Sequence, residues 1–551
     1  MTKYIFVLGG VISGLGKGVT SGSIGAILKE MGYEKITIKK LDPYLNVDPG
    51  TLNPLEHGEV YVTNDGGETD LDLGYYERFS EIEVGKNNSV SSGKLMWKLL
   101  TKERKGDFLG KTVQLIPHYT NEIKNFIMED SDKYDVIICE VGGSAGDYEA
   151  ASFFEAIRQL KQEKKSDVMI CLVTLLLFYK ATNELKTKPT QVAIRELMTY
   201  GLKPDLLFAR AEHDYDEALK TKLSLTSNVD KENIIKALNV KNIYQVPLEY
   251  MKEGLIQSIE SNLGLTPIKK PTFEKWNKLN EGINKLRNKI KLGIVGKYVE
   301  LKDAYYSVLE SIKHAGWYYS TSVEIIFINA REKGDVLNKI KLVNCVLVPG
   351  GFGSSGIEEI IIAIKYCREN LVPFMGICLG MQLSVIEFMR NVVGVKNASS
   401  KEFGKLDDTY VIDLMTEWKT ESGDIEKRND GEDLGGTLRL GAYDTVLKGN
   451  TLAYKLYEKL KFKERHRHRY EVNIKFRKDL EDNGMIISGL SPDEKLPEII
   501  EIVEYILDGN LIKHPYFIAT QFHPEFNSNP FRPHPVFMGL LESTLNIVFK
   551  N

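Results

Sequence analysis

The chain is short of cysteine, of long apolar runs and of any region where basic residues dominate. Its five cysteines (Cys139, Cys171, Cys345, Cys367, Cys378) are odd in number and mostly lie in apolar, strand-like runs. That argues against a disulfide framework, and four of the five read as small buried hydrophobes in a reducing compartment. The longest apolar run, Val168–Tyr179, falls well short of the roughly 20 residues of a membrane helix. It reads as a buried strand. A formal net charge of −4, without a strongly basic region, leaves no electrostatic footprint for nucleic acid. Met1–Leu8 is broken by Gly9-Gly10 too soon for a signal peptide, so a cytosolic protein with no membrane contact is expected.

At 551 residues the chain is long enough for two or more domains, each with its own core. Strand patterns at Tyr4–Leu8, Ile36–Lys40, Val136–Glu140 and Val168–Leu176 alternate with helical stretches, the first helix running to about Met31. Such alternation predicts an α/β fold with a mainly parallel sheet flanked by helices. Prolines bracket 266–270, after which Phe273, Trp276, Leu279, Ile283 and Leu286 recur at helical spacing. A linker helix over 266–290 is therefore expected between a first domain (1–265) and a second (291–551). In the second, the α/β pattern restarts at Ile290–Val295, and strand Cys345–Val348 runs into Pro349-Gly350-Gly351-Phe352-Gly353. The polar, acidic stretch Glu417–Gly436 reads equally as a hairpin tip or a functional lid.

Two short strings carry chemistry. Strand Val372–Met375 turns at Gly376-Ile377-Cys378-Leu379-Gly380 into a helix expected near Met381, a cysteine form of the nucleophile elbow. A thiolate there is favoured by the helix N-terminus behind it. His523-Pro524-Glu525 supplies an imidazole and a carboxylate to orient it. Cys378, His523 and Glu525 thus form a candidate triad for attack on a carbonyl.

Near the other end, Ser13-Gly14-Leu15-Gly16-Lys17-Gly18 follows the first strand and opens a helix. Backbone N–H groups and one lysine at such a turn cradle phosphates. It is not a standard P-loop, since the spacing before Gly16-Lys17 is off and Gly18 replaces a hydroxyl residue. A glycine-rich turn alone is as often structural; the lysine and the strand–loop–helix context favour phosphate. Carboxylates for a magnesium ion are then expected, and Glu140 at a strand end and Asp72 in the acidic run Glu68–Asp72 are the candidates. Lys186-Thr187-Lys188-Pro189-Thr190-Gln191, ahead of a helix over Gln191–Met198, reads as a second polyanion site. A cluster of this kind on its own is usually plain surface.

These strings, with Lys40-Leu41-Asp42-Pro43-Tyr44, His57-Gly58-Glu59-Val60, His466 to Asn473 and Gln521 to Phe526, resemble the CTP synthase family in family order from residue 1 to about 540. The resemblance implies a P-loop-like amidoligase domain followed by a class I glutamine amidotransferase domain, in a homotetramer; filament formation is left open. ATP would phosphorylate O4 of UTP, and ammonia released from glutamine would displace the phosphate to give CTP. It assigns Ser13–Gly18, Lys40, Asp72, Asn239 and Val240 to ATP, and Asp72 with Glu140 to Mg²⁺. It assigns Ser13, Asp147, Tyr148, Glu149, Lys186–Gln191 and Lys222 to UTP or to CTP as feedback inhibitor. Gly351 and Leu379 would form the oxyanion hole, and Gly380, Met381, Gln382, Glu402 and Arg469 would hold glutamine. Arg428 would serve activation by GTP.

Three positions depart from the family pattern. Ser355 stands where a basic residue is common, Leu177 where proline is usual, and Asn239 where aspartate is common. Two other readings remain open. A different glutamine-dependent amidoligase, acting on a carboxylate, would share the loop and the triad but give no reason for Lys186–Gln191. An inactive assembly subunit would be favoured by loss of Cys378, Lys17 or Glu140, and all three are present.

Overall fold

A computed structural model describes residues 2–414, 417–419, 425–427, 438–507 and 509–549. The chain forms two compact units, Met1–Pro49 with Asp72–Asn280, and Gly50–Leu71 with Glu281–Asn551. Among the described residues no helix is long and apolar enough to cross a membrane.

The first unit is built on β1 (Lys3–Gly9), β2 (Ile36–Asp42), β3 (Ser89–Ser91), β4 (Val136–Val141), β5 (Val168–Tyr179), β6 (Leu206–Ala211) and β7 (Ile234–Leu238). They lie side by side in the order β7-β6-β5-β1-β4-β2-β3, all parallel. Their apolar runs are continuous rather than alternating because both faces are covered: Ile5–Leu8, Ile137–Cys139 and Met169–Val173 are fully buried. The four strands foreseen in this half are present, each one to three residues longer than the sequence pattern gave. The extension of β5 has a cause. Its end pairs antiparallel with Glu184–Lys186, Leu177 opposite Lys186. A proline at 177 would lack the N–H on which such a ladder draws.

Helix α1 (Lys17–Met31) follows the glycine loop and stops at Gly32, whose φ of 101° is the left-handed closure that glycine allows. Helix α2 (Asp72–Ser80) lies against it. Helix α3 (Lys188–Thr199) starts three residues before the foreseen Gln191, because Pro189 fits the first turn, where its missing N–H costs nothing. Helix α4 (Glu274–Ile283) is the foreseen amphipathic helix, ending before Leu286. Its Trp276 is fully buried, 5.8 Å from the Phe79 ring, and Asn280 donates to the Tyr244 carbonyl at 2.9 Å. The helix packs as the last element of the first unit.

Among the described residues the second unit carries a nine-stranded sheet. Strands β8 (Asn288–Gly296), β9 (Thr321–Asn329), β10 (Cys345–Val348), β11 (Phe374–Ile377) and β16 (Phe517–Thr520) form its parallel half, in the order β9-β8-β10-β11-β16. Strands β12 (Arg439–Leu447), β13 (Lys461–His468), β14 (Met485–Leu490) and β15 (Pro497–Ile502) continue it antiparallel as β15-β14-β12-β13. Helices α5 (Tyr306–Tyr318) and α6 (Leu379–Phe388) belong to this unit. So does a small hairpin, Tyr61–Val62 paired with Glu68–Thr69, contributed by residues 50–71.

Candidate active site

Cys378 stands between β11 and α6 with φ 53° and ψ −100°, a strained backbone for a residue with a Cβ. The turn is held by Cys378 N–H donating to the Thr520 carbonyl at 2.7 Å. It is tight because Gly380 packs on β10, where an added Cβ would lie 2.4 Å from the Val348 carbonyl oxygen. β11 ends two residues later than foreseen and α6 begins immediately at Leu379, so the elbow is sharper than the sequence pattern implied.

His523 and Glu525 follow β16, next to β11 in the sheet, and the neighbouring strand ends bring them to Cys378. His523 Nδ1 and Glu525 Oε1 are 2.7 Å apart, leaving Nε2 for the sulfur side. Burial works against a charged imidazole here. The Glu525 carboxylate and the Cys378 sulfur outweigh it, and His523 is pushed up to about 10. A raised histidine stabilises the fold fully below its ordinary value of 6.5, and that contribution is lost as pH rises through about 10. Glu525→Gln removes the largest favourable cause. The melting temperature of the wild type should exceed that of Glu525→Gln most near pH 6.5, with the gap closing by pH 10; thermal melts across that range check it.

A cavity of about 70 Å³ opens beside Cys378, lined among others by Gly350, Gly351, Phe352, Arg467 and His523. Gly350 has no room for a side chain, since a Cβ would come 2.9 Å from His523 Cε1. Lys297, buried under this loop, donates to the Phe352 carbonyl at 3.2 Å and to that of Gly353, while Glu402 accepts from Gly353 N–H at 2.8 Å. Burial lowers Lys297 to about 8. Sequence reasoning did not single it out; its one legible signal is a lysine closing the apolar strand β8. Gln382 donates to the Tyr470 carbonyl at 2.9 Å.

Within the His/Arg run, the arginine that lines the cavity is Arg467, while half-buried Arg469 does not line it. Arg467 lies over the Phe352 ring at 5.2 Å and donates to Glu68 at 2.8 Å. His466 is buried with Nε2 2.7 Å from Glu498, which also accepts from Arg439 at 2.8 Å. These are framework contacts. Residues 54–68 were not foreseen as part of this site. Pro54, Glu59 and Val60 line the cavity, Glu59 accepts from Ser307 N–H at 2.7 Å, and Tyr61 meets Phe526 edge-on at 5.0 Å. The acidic run is accordingly divided: Glu68 serves the second unit and Asp72 the first.

In the first unit, Gly14 and Gly16 take φ values of 72° and 82° and turn the chain into α1. Lys17 Nζ donates to the Gly143 carbonyl at 2.8 Å. Burial lowers its affinity for the proton, opposed by Glu140. The glycine at 18 has a steric reason: an added Cβ would lie 2.3 Å from Asp72 Oδ1. The carboxylate therefore occupies the space that a hydroxyl residue fills in a standard P-loop.

Lys40 Nζ bonds both Asp72 and Glu140, the latter at 3.0 Å, with Asp42 at 3.8 Å and Tyr76 donating to Glu140 at 2.5 Å. Burial, with Asp72 adding to it, raises Glu140 to about 7; burial likewise raises Asp42 to about 6. Two carboxylates thus converge on one cationic centre and retain appetite for positive charge. Among the described residues no cluster of three or more ligating side chains exists. Two oxygen donors, with waters and substrate phosphates completing the shell, suit magnesium.

Lys186, Thr187, Lys188, Gln191 and Lys222 share the rim of a second cavity, of about 920 Å³, in which Phe178 and His213 also take part. Pro189 and Thr190 do not line it; Thr190 is buried and donates to the Leu175 carbonyl at 2.9 Å. Ser13, Tyr148 and Glu149 are exposed outside this cavity, and Asp147 accepts from Ser144 N–H at 2.6 Å. Asn239 follows β7 and accepts from Arg210 at 2.9 Å, with Val240 beside it. Ser355 is exposed. Arg428 lies outside the described residues, as do 429–437.

An elbow cysteine, an imidazole and a carboxylate on a half-parallel sheet define a class I glutamine amidotransferase, here joined to a nucleotide-type α/β unit in one chain. Family models agree: "CTP synthase N-terminus" matches residues 3–265 and "Glutamine amidotransferase class-I" matches 300–543. A CTP synthase of Methanocaldococcus jannaschii is 48% identical over 552 residues, covering 98% of each chain, and one of Agrobacterium fabrum is 46% identical over 99% of each. Among solved structures, the glutaminase domain of Trypanosoma brucei CTPS with bound acivicin is 31% identical, spanning 47% of this chain and 94% of its own, at a TM-score of 0.40. The chain belongs to the CTP synthase family, and is a glutamine-dependent ligase that aminates UTP to CTP.

Proposed function

We propose that the reaction is divided between two centres, ATP-dependent activation of UTP in the first unit and glutamine hydrolysis in the second. The carrying observation is that one chain holds two chemically distinct sites: Cys378 beside the 2.7 Å His523–Glu525 pair, and a loop lysine beside the Lys40–Asp72–Glu140 cluster. In the second unit the Cys378 proton passes to His523 Nε2 as sulfur bonds the amide carbon. The Gly351 and Leu379 N–H groups hold the resulting oxyanion. Collapse breaks the C–N bond, and His523 returns the proton to departing ammonia; water then cleaves the thioester to glutamate. Gln382, Glu402 and Arg469 hold the α-substituents, and Gly380 and Met381 pack alongside.

In the first unit Lys17 and the loop 13–18 bind ATP phosphates, with Asn239 and Val240 at the adenine. Lys40 faces the transferring phosphoryl group. Asp72 and Glu140 would hold Mg²⁺, which neutralises phosphoryl charge when bound. UTP O4 attacks the γ-phosphorus, ADP leaves, and ammonia displaces the phosphate at C4. The Lys186–Gln191 and Lys222 cavity takes the triphosphate of UTP, or of CTP as feedback inhibitor, with Ser13 and Asp147–Glu149. GTP activation through Arg428 and a cytoplasmic homotetramer complete the proposal.

The test is CTP formation from UTP, ATP and magnesium, with glutamine (with and without GTP) and separately with ammonium. Synthesis from both nitrogen sources is expected, with glutamine use rising on addition of GTP. No CTP from either source, in folded protein, would overturn the reading.

A further inference from the structure

Gln521 is fully buried two residues before His523, and its carboxamide is engaged at both ends. Its Nε2 donates to Cys378 Sγ at 3.6 Å, and its Oε1 accepts from Gln382 Nε2 at 3.3 Å. The orientation follows from a chain of donors. The Tyr470 carbonyl accepts from Gln382 Nε2 at 2.9 Å, which fixes that end of Gln382 as a donor. A donor facing Gln521 requires oxygen there, and so places Gln521 nitrogen against the sulfur. The backbone is pinned as well, with Gln521 N–H on the Glu498 carbonyl at 2.9 Å and neighbouring Thr520 accepting from Cys378 N–H.

We propose that Gln521 is a further catalytic residue of the glutamine-hydrolysing centre, donating a hydrogen bond to the Cys378 thiolate and fixing the carboxamide of Gln382 for substrate. This rests on the reading of Cys378 as nucleophile. The neutral thiol has another partner, the Arg467 carbonyl at 3.8 Å, to which Sγ donates. Loss of the proton turns sulfur into an acceptor, and that carbonyl then becomes repulsive. The Gln521 N–H becomes worth more at the same moment, since a hydrogen bond to an ionised group is about twice as strong as a neutral one. Gln521 exchanges no proton; that task stays with His523. The same amide pair leaves Gln382 with its oxygen as its remaining acceptor, suited to the α-ammonium of glutamine.

Other charged groups around the sulfur are accounted for by partners of their own. His523 is paired with Glu525, Arg467 with Glu68, and Glu59 with Ser307. None of them supplies a neutral donor to Sγ that is independent of the triad's own protonation.

The test uses the full chain carrying Gln521→Met, which keeps length and loses the donor, and Gln521→Glu, which keeps shape and presents only acceptors when ionised. Carbamidomethylation of Cys378 by iodoacetamide is followed by peptide mass across pH, beside glutamine-dependent and ammonium-dependent synthesis. Both variants should lose about tenfold or more in kcat/KM for glutamine, the loss of one charge-assisted hydrogen bond. Their alkylation profiles should move to higher pH, Glu further than Met, with synthesis from ammonium serving as the control for folding. Alkylation profiles that superimpose on wild type would overturn the proposal, even if glutamine use fell, because a merely structural residue leaves the sulfur's protonation alone. If Gln521→Met does not fold, Gln521→Glu and Gln521→Asn decide on the same readout. Failure of the underlying reading looks different: in the unsubstituted protein, complete alkylation of Cys378 would then leave glutamine-dependent synthesis intact.

Discussion

With Cys378 replaced by alanine, CTP formation from glutamine should fall by at least about 10³-fold while formation from ammonium stays within about twofold of wild type. The large effect follows from the covalent step. Without sulfur at the elbow no thioester forms, and His523 and the oxyanion-hole N–H groups have only water to direct. The small effect follows from where Cys378 sits. It belongs wholly to the second unit, and none of Lys17, Lys40, Asp72 or Glu140 does. Alanine carries a Cβ as cysteine does, so the backbone strain at a φ of 53° is unchanged and the fold itself should be unaffected. Steady-state rates with each nitrogen source, on protein whose melting temperature matches wild type, check the result. Equal loss with both sources in a folded variant would contradict the division of labour.

Lys17→Ala should have the complementary signature, with CTP formation lost from both nitrogen sources by about 10²-fold or more and glutaminase chemistry spared. Lys17 is the loop's one cation, and its ammonium donates to the Gly143 carbonyl at the mouth of the sheet. Its neighbours are anionic, since Glu140, Asp72 and Asp42 crowd the same centre with Lys40. Removing one of two lysines leaves excess negative charge where further phosphates must bind. ATP affinity and rate should fall together. Thioester formation at Cys378 can be followed separately as glutamate release, and that release should persist. Survival of CTP formation in Lys17→Ala would remove Lys17 from its role.

How much of this was legible beforehand varies with the kind of signal. The triad could be read because a glycine-bracketed cysteine after a strand and a His-Pro-Glu string are local patterns whose geometry the backbone imposes. The glycine loop was legible for the same reason, though its departure from a P-loop had no visible cause until Asp72 was found against Gly18. The Glu68–Asp72 run read as one acidic loop, whereas the structure gives its two ends to different units. Charge density in sequence does not say which partner each carboxylate will meet. Lys297, Arg467 and the 54–60 wall of the glutamine cavity were missed because each acts through a partner hundreds or tens of residues away, with nothing periodic to mark it.

What the sequence by itself determined was the α/β class, the strand–turn–helix context of both reactive loops and the chemical identity of the groups on them. These depend on apolar runs, on glycine's access to left-handed backbone and on side-chain chemistry, all of which are properties of neighbouring residues. Only the tertiary structure decided that His523 and Glu525 meet Cys378, that Lys40 joins Asp72 to Glu140, and that Gln521 turns its nitrogen to the sulfur. Those outcomes depend on which strands become neighbours in a sheet. Strand order is settled by packing across the whole unit, which no local pattern encodes.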